Sequence, residues 1–221
     1  MHYVFDKWMA IHYPHIPFER YADDTICHCR TKREAEDMKV VIMNRLSSCK
    51  LSLNEDKTRI VYCKDSHRKE HHEIISFDFL GYTFRPREAK NSKTGHIFTG
   101  FLPGISQKSK KHINDTIRGW QLNRKKDLIE LDVQMEASAR GWVNYYGKFY
   151  PSSMKSALQM LNEAIVRWAL RKYKRFKGSL KRTRLWLTRL YNKNPKLFYH
   201  WRRGIIPCYF KLKPVEIRRA V

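Results

Sequence analysis

Two adjacent carboxylates, Asp23 and Asp24, stand inside an otherwise apolar stretch, Tyr21-Ala22-Asp23-Asp24-Thr25-Ile26-Cys27, that reads as a short hairpin with both acids at its tip. Nucleotidyl transfer uses such a pair: two divalent ions about 4 Å apart, one activating a 3′-hydroxyl and one holding the leaving phosphate, need hard carboxylate oxygens. Neighbouring strand residues point to opposite faces, so an Asp-Asp pair serves one metal site only at a tight turn. Alone, the dipeptide is an ordinary solvated turn, because aspartate is common there. Its surroundings therefore carry the argument.

The other residues that could do chemistry are cations. Residues 1 to 87 carry 15 Lys/Arg against 13 Asp/Glu, whereas residues 88 to 221 carry 30 against 8, so nearly all of the net charge of +24 lies in the second portion. Such a surface suits a polyanion. Trp, Tyr and Phe are interleaved with the charge and not segregated into an apolar face, which favours nucleic acid over an anionic membrane. Arg167, Arg171 and Arg175 recur every four residues and predict one stripe on a helix, while Lys108, Lys110, Lys111, Arg182, Arg184 and Arg189 extend it. Tyr199 and Trp201, flanked by His200 and Arg202, are the aromatic candidates for nucleic-acid contact; Trp120, Trp142, Tyr145 and Trp168 fall at helical spacing and read as core.

The elements that must position these groups divide in two. Thr31 and Glu34 have capping-box spacing, and Ala35, Met38, Ile42, Leu46 and Cys49 predict an amphipathic helix over 32–49. Thr58 to Cys63 and Phe77 to Phe84 read as strands, the second bent at Gly81, with a mobile insert from His67 to Glu73 between them. Asn91 to Gly95 supplies a turn before Ile97 to Leu102. After Gly104 the period becomes helical, with helices near 106–123, 131–147, 152–176 and 180–192 and a loosely ordered tail beyond Pro207. The expected class is α+β followed by all-α, with an odd five cysteines that speak against a disulfide framework and for a reducing cytoplasm. No apolar run approaches membrane-spanning length. Cys63, His67, His71 and His72 lack paired Cys-x-x-Cys spacing, so zinc is not expected.

Taken together, Tyr21-Ala22-Asp23-Asp24, the capped helix, Leu51-Ser52-Leu53-Asn54-Glu55-Asp56-Lys57-Thr58 and Phe79-Leu80-Gly81-Tyr82-Thr83-Phe84 resemble, in order and spacing, the palm of group II intron reverse transcriptases. Gly141-Trp142-Val143-Asn144-Tyr145-Tyr146-Gly147-Lys148-Phe149 resembles the signature of that family's maturase domain, and Asn194 to Trp201 resembles its usual ending. The resemblance implies that Tyr21, Ala22, Asp23 and Asp24 lie beside the primer terminus, with Asp23 and Asp24 as Mg²⁺ ligands. It also implies that Phe79, Leu80 and Gly81 grip the primer and that Lys57 protonates the leaving pyrophosphate.

The resemblance places residues 1–104 as a partial palm with antiparallel hairpins, 105–178 as the helical thumb and maturase-specific domain, and 179–221 as a basic carboxyl-terminal extension. Relatives place another catalytic aspartate and the fingers upstream of the hairpin; here twenty residues precede Tyr21, and Asp6 does not match the missing motif. The expectation is a maturase that binds structured intron RNA to assist splicing, with Mg²⁺ only where the active site is completed. The rivals are a splicing factor with a vestigial site and half of a split polymerase, which would add a separate fingers/palm polypeptide and a primer-template as partners.

Overall fold

The computed structural model describes residues 1–68, 70–207 and 209. They form a mixed α+β protein with two small sheets and seven α-helices among the described residues. The chain divides into two compact units, one of Met1–Phe79 with Arg85–Phe101, the other of Leu80–Phe84 with the chain from Leu102 onward.

In the first unit a π-turn, His2–Asp6, runs into α1 (Lys7–His12). The hairpin follows, with β1 (Phe18–Tyr21) antiparallel to β2 (Asp24–Cys27) and Tyr21 opposite Asp24. Helix α2 (Lys32–Ser48) starts where expected, because the Thr31 side chain accepts the Glu34 N–H while Glu34 turns back to accept the Arg30 N–H. Phe5, Met9, Ile16 and Met38 make this unit's core.

The strand expected over 58–63 does not form. Among the described residues its β-branched sequence finds no ladder partner, and the Tyr62 N–H to Ile74 carbonyl bond, 2.9 Å, ties it across the chain. Strand propensity without an edge to pair is too weak to fix an extended segment. Strands β3 (Phe77–Phe79), β4 (Tyr82–Lys90) and β5 (Ile97–Ile105) do make a sheet in that order. The β4–β5 turn is built by Asn91, whose side chain accepts the Lys93 and Thr94 N–H groups, and by Gly95 at φ +73.

The second unit is helical from α3 (Gln107–Gly119) through α4 (Leu128–Tyr146), α5 (Pro151–Lys172), α6 (Leu180–Lys193) and the single turn α7 (Tyr199–Arg202). Helix α5 is central: Leu158, Leu161 and Ile165 are fully buried, and it packs on α3, α4 and α6. Truncating any one of the three to alanine should cost about 2–5 kcal/mol. Helix α4 offers Leu131, Met135, Ala139 and Val143 on one face. It begins three residues before the expected 131 because Asp127 caps it, accepting from the Ile129 and Glu130 N–H groups.

Helix α5 ends at Lys172, short of the expected 176. Tyr173 takes up extended backbone, and a 3₁₀ turn, Lys174–Phe176, follows. Arg175 therefore leaves the helical stripe of Arg167 and Arg171 and instead lies over the rings of Tyr173 and Phe176, 5.4 and 4.7 Å from their centres. The expected tail beyond Pro207 lies, Tyr209 apart, outside the described residues.

Candidate functional site

Asp23 occupies the hairpin turn and Asp24 opens β2, so the turn brings the two carboxylates to one end of the hairpin. Ala22 sits at φ +54, a left-handed conformation that a side chain resists. Arg20 braces it: its Nη1 donates to the Ala22 carbonyl at 2.5 Å, while Nε and Nη2 donate to the two Asp6 oxygens, both at 2.6 Å. The Arg20 guanidinium holds the Asp6 carboxyl down to about 2. Asp6, which sequence reasoning kept out of the metal site, thus has a supporting role that a separation of fourteen residues could not reveal.

Asp6 also absorbs the charge of Arg20. Asp23 and Asp24 are exposed, and among the described residues neither has an ion-pair partner. This donor set fits Mg²⁺, which takes one or two protein carboxylates and completes its shell with water and phosphate oxygen. Among the described residues no three His, Cys, Asp or Glu side chains cluster to form a full protein cage. Next to the turn, burial pushes the Cys27 thiol up to about 12 and raises that of Cys29, so both stay protonated. Lys57 is exposed in a separate turn, where Asn54 accepts its backbone N–H at 3.2 Å; among the described residues no bond or ion pair joins it to the carboxylates.

Phe79 ends β3, and the turn after it belongs to the helical unit. Leu80 has φ +50 and Gly81 φ +79. The Tyr145 hydroxyl donates to the Leu80 carbonyl at 2.8 Å, and the Gly81 carbonyl accepts from the Ser106 N–H at 3.0 Å and the Ser109 hydroxyl at 2.9 Å. The Tyr82 hydroxyl donates to the Tyr145 carbonyl. A Cβ at Gly81 would lie 2.8 Å from Ser109 Oγ and 3.1 Å from Tyr146 Oη, so only glycine fits. Tyr145 and Tyr146 therefore clamp the Leu80–Gly81 turn, a link between two distant motifs that neither motif announces.

The cationic candidates separate into free and committed groups. Lys108, Lys110 and Lys111 stand in the first turns of α3, and Arg182 in the first turn of α6; neither helix has an acidic residue there. Arg167 and Arg171 line a groove at the end of α5. Arg184, expected to contact RNA, is tied to both oxygens of Glu163, at 3.0 and 3.2 Å, and bridges α5 to α6. Trp201, the other aromatic candidate beside Tyr199, lies in the core at 3% exposure, its indole N–H donating to Asn162 Oδ1 at 2.7 Å. Tyr199 is half-buried between the guanidinium groups of Arg140 and Arg202, 5.4 and 5.6 Å from its ring centre.

Two family models match the chain. The reverse transcriptase (RNA-dependent DNA polymerase) model matches residues 1–84, and the group II intron, maturase-specific domain model matches residues 110–186. The chain belongs to the group II intron reverse transcriptase/maturase family. No curated protein and no solved structure gives a match. The reverse-transcriptase match spans the carboxylate hairpin, Lys57 and the Leu80–Gly81 turn, and the maturase match spans Arg167, Arg171, Arg175, Arg182 and Arg184.

Beside the end of the maturase match lies a buried polar hub. Asn162, fully buried on α5, donates to the Ile205 carbonyl at 3.2 Å and to Gln159 at 2.9 Å. That fixes its oxygen toward Trp201 Nε1 and toward His200 Nε2 at 3.0 Å, so the imidazole must carry its proton on Nε2. Burial pushes His200 down to about 3, leaving it neutral. His200 is a fixing point for α7, which holds Tyr199 and Arg202 at the surface.

Proposed function

We propose that this group II intron reverse transcriptase/maturase binds structured intron RNA through its helical unit and assists splicing, with residues 105–178 acting as thumb and maturase domain and 179–221 as a basic extension. The observation that carries this reading is the placing of cations at the wrong helix ends. A helix amino terminus bears partial positive charge and favours acids, as Glu34 on α2 and Glu130 on α4 illustrate. Helices α3 and α6 put Lys108, Lys110, Lys111 and Arg182 there with no acid. Those cations weaken the isolated fold and are offset by an anionic partner, for which helix N–H groups and lysines together suit phosphate.

The hairpin supports a nucleotidyl-transfer role for residues 1–104 as a polymerase palm. Asp23 and Asp24 would hold Mg²⁺, which when bound activates the attacking hydroxyl and neutralises the leaving phosphate. The chain's own part is to keep both carboxylates free of protein cations, because Arg20 is spent on Asp6. Lys57 would donate a proton to the leaving group, and Phe79, Leu80 and Gly81 would seat the primer on their clamped turn. No helix among the described residues is long and apolar enough to cross a membrane.

RNA affinity measured against salt tests the binding reading. If about six phosphates are engaged, affinity should fall roughly thousandfold between 50 and 200 mM salt, and Lys108, Lys110 and Lys111 changed together to Gln should flatten the logarithmic slope by about 2–3. An unchanged slope would sink the role of the α3 amino terminus. Primer extension on an RNA template with Mg²⁺, with and without an added fingers segment, tests the catalytic reading. Activity with the segment that survives Asp23→Ala would remove Asp23 from the metal site.

A further inference from the structure

The end of α3, the Trp120–Asn123 connection and the last two turns of α5 enclose a groove of about 200 Å³. Its floor includes the buried Trp168, whose indole N–H is already spent on the Lys125 carbonyl at 3.2 Å. Trp120 forms one wall and is held rigid by stacking on Trp142, ring centres 5.8 Å apart and planes 18° from parallel. Arg118, Arg167 and Arg171 rim it, with the amide of Asn123, and among the described residues no carboxylate lines it.

Part of this charge has a local explanation. Arg118 and Arg171 lie in the last turns of α3 and α5, where cations offset the helix dipole. Arg167 is a full turn earlier, and among the described residues neither it nor Arg171 has an ion-pair partner; Arg118 reaches Asp115 only at 3.5 Å and in solvent. Three guanidinium groups around an aromatic and apolar floor form a mixed site. The apolar part suits a flat ring, and the rim suits the phosphate attached to it.

Volume narrows the occupant. About 200 Å³ is below the roughly 300–1,000 Å³ of pockets that take whole drug-sized ligands, so the groove suits one unit of a polymer. We propose that this groove captures a single unpaired nucleotide of the RNA, its base against Trp120 and its phosphate held by Arg118, Arg167 and Arg171, with Asn123 reading the base edge. The inference rests on the RNA-binding reading above and deepens it: the helical unit would recognise a bulged or looped-out base within a folded RNA, beyond tracking the backbone of a duplex. RNA bases out of the stack are open to aromatic stacking and edge contacts that a paired helix denies.

The test compares two RNA hairpins identical except for one bulged adenosine, bound by the full chain at physiological salt. The bulged hairpin should bind on the order of tenfold more tightly. Asn123→Ala and Arg171→Gln, both at exposed positions, should erase most of that ratio. Lys177→Gln, outside the groove, should weaken both hairpins equally and keep it. Tight, salt-sensitive binding of both hairpins without preference, or a preference that survives both groove variants, overturns the nucleotide site and leaves RNA binding intact. Failure to bind either hairpin overturns both.

Discussion

The buried imidazole of His200 should make the helical unit acid-sensitive well above the range where carboxylates titrate. His200 is 1% exposed, and burial lowers its folded-state value to about 3 against 6.5 when free. A lowered histidine value means that the unfolded chain binds the proton more readily. The stability is therefore complete above about pH 6.5 and is lost as pH falls from there toward 3. At pH 5 the chain is 1.5 units below the unfolded value, and at about 1.36 kcal/mol per unit the loss relative to pH 7 is about 2 kcal/mol.

Urea unfolding followed by tryptophan fluorescence measures this in the correct unit, because five of the six tryptophans (Trp120, Trp142, Trp168, Trp186 and Trp201) lie there. Other groups titrate in the same range, so the comparison is with His200→Gln, which retains an N–H donor toward Asn162 but does not titrate. The variant should be less stable than the natural chain at pH 7, by about 1–3 kcal/mol for lost packing. Its further loss between pH 7 and pH 5 should be about 2 kcal/mol smaller. Equal pH dependence in the two proteins would refute the buried neutral imidazole and with it the tautomer assigned from Asn162.

Gly81→Ala adds a Cβ at 2.8 Å from Ser109 Oγ in a left-handed backbone, so the helical unit should lose about 1–3 kcal/mol in thermal unfolding; an unchanged midpoint would mean that the Leu80–Gly81 turn is not clamped as described. Arg20→Gln removes the guanidinium that depresses Asp6, and an NMR titration should then move that carboxyl from about 2 toward 3.8. Because a depressed carboxyl contributes stability that is present above its unfolded value and lost as pH falls through the folded one, the variant should also show a shallower acid loss between about pH 4 and 2. An Asp6 value that stays near 2 would place the cause elsewhere.

Local patterns settled much of this protein. The carboxylate hairpin, the Thr31–Glu34 cap, the Asn91–Gly95 turn and the helical period after Gly104 all depend on residues a few positions apart, and the folded chain contains each of them. The family was legible too, because its motifs are contiguous runs whose order is itself information, and the family models agree. The carboxylates at the tip were readable for the same reason; whether they hold metal is a question for the primer-extension assay.

What the sequence could not decide was partnership between distant residues. Arg184 and Arg167 look alike as letters on a basic stretch, yet Glu163 claims the first and leaves the second on a groove. Trp201 looked like a stacking surface until Asn162, thirty-nine residues away, took its N–H into the core. The strand over 58–63 had the composition but no neighbouring edge, and Arg175 had the spacing but not the helix. Composition and periodicity fix the net charge, the helical faces and the turn chemistry, because those are sums or short-range properties. Which cation is spent inside the fold, and which aromatic ring is left at the surface, depends on burial and on hydrogen bonds closed across tens of residues, and only the tertiary structure closes them.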